Sequence, residues 1–466
     1  MKQTICLLLV LLWSFTMSAA KTRYPGKKTY IYRYELKDKA ATQYSLEKPQ
    51  RFLSHKSLER RKRQGLSIDS TDLPVCKQYV KLFHRKNAQV IGTSRWQNTV
   101  LVSSPDSLLL VSLDTLSIVK KSTCVFISPD SIDIPGDIRW NVHEDFNRWD
   151  SVKNDPYGMA RQQIEMLNGI FLHEMGYTGK GITIAILDGG FQNYKRIPAF
   201  QDTRILGTHD FIWSHNYKDI GGFESIDHGT KVLSAMAAHA PEVAIGTAPD
   251  ASYWLLCCED PLTEQPVEED YWTMAAEMAD SLGADIINSS LGYYAFDNER
   301  GNYRLQDLDG QTAFISRSAS MLARKGIIHC NSAGNSGMGQ WKKIGVPADA
   351  HDILTIGAVD RNKELAAFSS IGPSHDGRVK PDVVAQGAPT VLISGRGTLV
   401  HDMGTSFSTP VICGLVACLW QALPDKTALE IIDIVRQSAS QYHDPTNIYG
   451  YGIPNFRLAY DKNRTH

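Results

Sequence analysis

Between residues 182 and 438, stretches of helical periodicity alternate with short β-branched runs, and a glycine repeatedly closes the helix. Val267–Leu282 has the helical pattern, Gly283 stops it, and residues 284–289 follow as a strand. Residues 313–325, Gly326 and residues 327–330 repeat that order. Further strands are expected over 182–187 and 353–359, and helices over 228–239, 405–419 and 428–438. Parallel strands need a long crossover, most often a helix, whereas hairpins do not. The pattern therefore predicts an α/β fold: a doubly wound, mostly parallel sheet with helices on both faces. In such sheets functional groups gather beyond the carboxyl ends of the strands.

The chain before this region is built differently. Lys2, an apolar run from Ile5 to Trp13 and the small residues Ser18, Ala19 and Ala20 read as a secretory signal over residues 1–20. The run is short for a bilayer span, and no later segment reads as a long charge-free apolar run. The mature form is therefore expected to be secreted or periplasmic, with no membrane span. Residues 21–128 suggest a small α+β unit, with strands over 29–34, 90–92, 99–102 and 118–127 and helices over 52–65, 73–86 and 107–113. Residues 129–155, rich in Asp, Asn and Pro, read as a linker to the domain at 156–466.

Charge divides along the same line. The 466 residues sum to a formal −1, yet residues 21–128 hold 21 Lys and Arg against 8 Asp and Glu, or +13. Residues 129–466 hold 27 against 42, or −15. Such a split suggests parts that attract each other, or a basic arm for nucleic acid or membrane. No nucleic-acid reader motif is present. The basic run Glu59 to Arg63 reads as a solvated helix face or a processing site, and the acidic runs Glu259-Asp260 and Glu268-Glu269-Asp270 as solvated surface. Beyond Cys6 in the expected signal, seven cysteines without regular spacing read as buried apolar side chains, with one bridge, Cys76–Cys124, left open. Gly179-Lys180-Gly181 lacks the spacing of a phosphate loop.

Three stretches at a strand end and two helix starts carry chemistry. They are Asp188-Gly189-Gly190, Asp227-His228-Gly229-Thr230 and Gly404-Thr405-Ser406-Phe407-Ser408-Thr409-Pro410. A serine hydroxyl is a poor nucleophile unless a base takes its proton; a histidine can, and a carboxylate can fix that histidine's tautomer. Gly189 and Gly229 would let the backbone pass close to these groups, and Gly404 would permit a tight approach to the helix. Cys330-Asn331-Ser332-Ala333-Gly334-Asn335 follows a strand, where an Asn amide could donate to an oxyanion. Singly, Asp188 and Asn335 read as turn residues, Ser406 as a helix cap and His228 as an ordinary first-turn residue. Their joint order is what carries the argument.

Together these stretches resemble the subtilisin-like serine proteases, the subtilases, from about Gly176 to Tyr460. Gly179-Lys180-Gly181, Gly246-Thr247-Ala248-Pro249, Ser290-Leu291-Gly292, Phe368-Ser369-Ser370-Ile371-Gly372 and Lys380-Pro381-Asp382-Val383 also match, in order. The resemblance implies an exported serine endopeptidase made as a pre-pro-enzyme, with Asp188, His228 and Ser406 as triad and Asn335 as oxyanion donor. It makes residues 21–128 a propeptide that inhibits its own enzyme, and proteins or peptides the substrates. Ser290, Leu291, Gly292 and Ser332, Ala333, Gly334 would wall the primary specificity pocket, with Gly345 at its floor leaving room for a large apolar side chain. The chemistry needs no cofactor and no metal; calcium, which stabilises many subtilases, is left open. Gly189, Lys231, Phe407 and Ser408 depart from the usual family residues, so substrate preference is less constrained than reaction type. The alternative is a catalytically silent subtilase fold serving as a binding protein, against which the intact four-residue set argues.

Overall fold

A computed structural model of the chain describes residues 21–24, 27–133, 151–212 and 222–464. The expected signal and most of the expected linker lie outside the described residues. The N-terminal unit comprises β1 (Lys21–Arg23), β2 (Tyr30–Leu36), α1 (His55–Arg63), α2 (Lys77–Lys81), β3 (Gln89–Ser94), β4 (Thr99–Ser104), α3 (Ser107–Ser112), β5 (Val119–Ile127) and β6 (Ser131–Asp133). Its main sheet is antiparallel in the order β3-β4-β2-β5. Side chains alternate across a strand, and here both faces are covered. Val100 and Val102 face the unit's own core with Tyr34 and Phe83, while Leu101 and Ile31 face the large domain. β6 pairs antiparallel with β1, placing Ile132 opposite Thr22, so this pairing continues past the expected boundary at residue 128.

The large domain holds α4 (Arg161–Glu165), α5 (Ile170–Glu174), β7 (Thr183–Asp188), β8 (Arg204–Asp210), α6 (His228–Ala237), β9 (His239–Ala240), β10 (Ala244–Ile245), β11 (Ser252–Cys257), α7 (Val267–Leu282) and β12 (Ile286–Ser289). It continues with α8 (Phe314–Ala319), β13 (Ile328–Ser332), β14 (Leu354–Asp360), β15 (Val383–Ala388), β16 (Thr390–Ile393), β17 (Leu399–Asp402), α9 (Thr405–Ala422), α10 (Ala428–Gln437) and α11 (Phe456–Asn463). Seven parallel strands form one sheet, ordered β15-β14-β13-β12-β7-β11-β8. Ile184, Ile186 and Leu255 pack with α6 and α9 on one face, and Ala185, Leu187 and Ile287 with α7 and α8 on the other. Such two-sided burial is why these strands read as continuous apolar runs. Gly283, at φ 83°, ends α7 in the left-handed region that glycine adopts freely, and Ala284 N–H returns to Ala279 O at 2.9 Å.

Several expectations are corrected. The helix expected over 73–86 shrinks to α2, because Val75 and Cys76 are drawn out of it and buried. The helix expected over 313–325 is α8, followed after a turn by a short 3₁₀ segment, Ala323–Lys325. α9 lies in a long charge-free run after all, but 89% of it is buried, as a core helix rather than a membrane span. All seven described cysteines are free, so Cys76 and Cys124 are unbridged. The basic run is solvated only in part: Glu59, Lys62 and Arg63 are exposed, but Arg60 and Arg61 are 3% and 1% exposed, so its surface reading does not hold throughout. The acidic runs are not solvated surface, since Asp260, Glu268, Glu269 and Asp270 are buried.

Buried charges of each unit meet opposite charges of the other. Arg33 holds Asp270 with both arms of its guanidinium, at 2.7 and 2.6 Å. Asp280 accepts from Arg60, from Arg61 at 2.9 Å and from Arg95 at 2.7 Å. Glu277 accepts from Ser94 Oγ and from the backbone N–H groups of Arg95 and Trp96 at 2.5–3.0 Å. One face of α7 is thus the seat of the basic N-terminal unit.

Candidate active site

Strands β13, β12 and β7 lie side by side, and their carboxyl ends open on one cleft of about 570 Å³. Asp188, the last residue of β7, is fully buried, and its Oδ1 accepts from Gly189 N–H at 2.8 Å. His228, the first residue of α6, contacts that same Oδ1 through Nδ1 at 2.8 Å. Gly229 allows this approach: a Cβ there would lie 2.5 Å from Gly190 O and 2.7 Å from the Phe191 ring. Gly404 has no such constraint, for a Cβ would meet nothing nearer than 3.6 Å. The His228 ring is 30% exposed toward the cleft and packs against Phe407, centroids 5.6 Å apart.

Ser406, in the first turn of α9, lies in the same cleft, but its Oγ donates to Ser290 O at 3.3 Å rather than to His228. Active-site hydrogen bonds are often looser before substrate binds. Pro410 shapes this turn from below. It has no N–H to donate to the carbonyl four residues back, which is that of Ser406, and this carbonyl accepts from Ser290 Oγ at 2.8 Å instead. Ser406 is thereby tied to the end of β12 in both directions. Asn335 is fixed from the amide oxygen side: Oδ1 accepts from Thr405 N–H at 3.0 Å and Thr405 Oγ1 at 2.9 Å. Its Nδ2 is left to serve the cleft, which Asn335 lines.

Of the expected pocket residues, Ser290, Leu291, Gly292, Ser332 and Gly334 line the cleft; Ala333 and Gly345 lie buried behind it. Gly345 abuts the backbone of Tyr293, where a Cβ would come within 2.8 Å of the carbonyl. Lys231, at a departure from the family pattern, is occupied by Asp402 at 3.0 Å and Asp227 at 3.3 Å.

Sequence reasoning missed two participants. Thr405 braces both Asn335 and Gly334, whose N–H donates to Thr405 Oγ1 at 3.2 Å. Glu259, assigned to the surface, lines the cleft beside His228 because β11 neighbours β7 in the sheet. Burial opposes the His228 imidazolium, but the charge and hydrogen bond of Asp188, aided by Glu259, outweigh it and raise its pKa to about 9. Burial raises Glu259 in turn to about 7, against the pull of His228.

An acid, an imidazole and a hydroxyl at the carboxyl edge of a parallel sheet define a serine hydrolase arrangement. Comparison with known proteins narrows that class. Residues 179–452 match the subtilase family and residues 31–133 the peptidase S8 propeptide domain of Bacteroidota. The chain is 27% identical over 323 residues to subtilisin NAT of Bacillus subtilis subsp. natto, covering 68% of this chain and 74% of that protein. It is 26% identical over 308 residues to subtilisin DY of Bacillus licheniformis (65% and 98%), and 24% over 355 residues to M-protease of Shouchella clausii (75% and 81%). The chain belongs to the subtilase family. It is a serine-type endopeptidase in zymogen form, with its propeptide domain seated on α7.

Proposed function

We propose that the protein is exported and cuts peptide bonds through an acyl-enzyme, with Asp188, His228 and Ser406 as triad. The observation that carries this is the 2.8 Å contact from His228 Nδ1 to buried Asp188, across one cleft from Ser406. The carboxylate fixes the tautomer that leaves Nε2 free to accept a proton. Ser406 Oγ, turning from Ser290 O, bonds to the scissile carbonyl carbon while its proton passes to Nε2. The oxyanion then takes hydrogen bonds from Asn335 Nδ2 and the Ser406 backbone N–H. The C–N bond breaks as His228 returns the proton to the leaving amine, and water releases the acyl group by the reverse route.

The proposed domain division is signal 1–20, propeptide 21–128, linker 129–155 and catalytic domain 156–466. The segments 290–292 and 332–334 would wall the primary pocket; they carry no charged side chain, which supports an uncharged residue just before the cut. N-terminal sequencing of the purified protein beside a Ser406→Ala form tests the catalytic assignment. Self-cleavage between residues 128 and 157 is expected, absent from the alanine form. Cleavage of both forms at one bond would contradict it.

A further inference from the structure

We propose that Glu259 makes this cleft select peptides bearing Lys or Arg at the second residue before the scissile bond. The inference rests on the serine-protease reading above. Glu259, Glu264 and Asp297 line the same cleft as His228 and Ser406, and among the described residues no Lys or Arg lines it. Glu259 Oε2 sits against Gly189, where a Cβ would come within 2.7 Å, placing the carboxylate on the His228 wall, away from 332–334. Glu264 and Asp297 are bound to each other through their backbones: Glu264 N–H donates to Asp297 Oδ2 at 3.1 Å, and Asp297 N–H to Glu264 O at 2.8 Å.

Geometry selects the position. A substrate bound in extended form turns successive side chains to opposite sides. If the residue before the cut enters the slot between 290–292 and 332–334, the preceding one faces the His228 wall, where Glu259 stands. Electrostatics selects the chemistry. Burial raises Glu264 to about 8, and the charges acting on it, Glu259 and Asp297, are both negative. The one cation acting on Glu259 is His228, with Asp188 and Asp260 opposing. Apart from His228, no cation among the described residues acts on Glu259, Glu264 or Asp297, and a Lys or Arg side chain supplies one. Among the described residues no three acids converge as a metal site, which favours a long cationic side chain over an ion.

The test compares kcat/KM of the matured enzyme on peptides differing only in Arg, Ala or Glu at that second residue. Arg is expected to exceed Ala by about tenfold or more, with Glu lowest and the preference shrinking as salt rises. Glu259→Gln should bring the Arg-to-Ala ratio toward one, and Glu264→Gln should lower it in part. A wild-type ratio near one, or an undiminished ratio in Glu259→Gln, would overturn the proposal. Cleavage and fluorophosphonate labelling without preference would remove the selectivity and leave the serine-protease reading standing. Absence of both cleavage and labelling would overturn the two together.

Discussion

His228 is held between two opposing effects, and in the proposed mechanism its protonation sets when the enzyme can work. As general base it must be neutral, and a pKa near 9 keeps it charged at neutral pH. The expected pH profile of kcat/KM therefore rises through an alkaline inflection near 9. In Glu259→Gln the inflection should move to lower pH, since one of the charges favouring the imidazolium is gone. An unchanged inflection in that variant would contradict the coupling. The stability contribution has the opposite sense: a raised histidine stabilises the fold fully below about 6.5, and loses that contribution as pH rises through about 9. Asn335→Ala should lower kcat by about 10²–10³ with little change in KM, because in the proposed role the amide acts on charge that exists only in the transition state. At this scale Asp188, His228, Ser406 and Asn335 were legible as short motifs at strand ends and helix starts. Glu259 was not, because its partner His228 becomes a neighbour only when β11 pairs with β7.

α7 does two jobs. Its Trp272 and its alanines pack on the sheet, while Asp270, Glu277 and Asp280 receive the N-terminal unit. Periodicity and Gly283 revealed the helix's limits, but burial of its charges was hidden, because both α1 and α7 look solvated until they face each other. The opposite net charges of the two segments were the available signal. Asp280 is surrounded by three guanidinium groups, which outweigh the effect of burial and hold its carboxyl well below the usual range. Asp280→Ala leaves those arginines buried with fewer partners, and about 3–5 kcal/mol of stability should be lost. Urea unfolding of a Ser406→Ala precursor with and without that change measures it; a difference under about 1 kcal/mol would contradict the role assigned to Asp280. A carboxylate held low contributes above its unfolded pKa, about 3.9, and the contribution fades as pH falls through its lower folded value. The difference between the two precursors should therefore persist through mildly acidic pH and shrink only in stronger acid.

For the whole molecule, the near-neutral sum of −1 conceals a basic propeptide unit on an acidic enzyme. The parallel class of the sheet and four of its seven strands were readable from the alternating pattern, since two-sided burial leaves continuous apolar runs; β8, β11 and β15 were not, and β8, half exposed, carries no such run. The mode of docking was not, since no local pattern shows which faces meet. If the +13 segment leaves on maturation, the active protein should focus at a distinctly lower isoelectric point than its precursor. The most direct test of the account is to react the matured protein with a fluorophosphonate and locate the adduct by peptide mass spectrometry. The account predicts one adduct on Ser406, formed with loss of peptidase activity and absent from the Ser406→Ala precursor. An active preparation that stays unlabelled, or whose inactivating adduct lies on another residue, would contradict it.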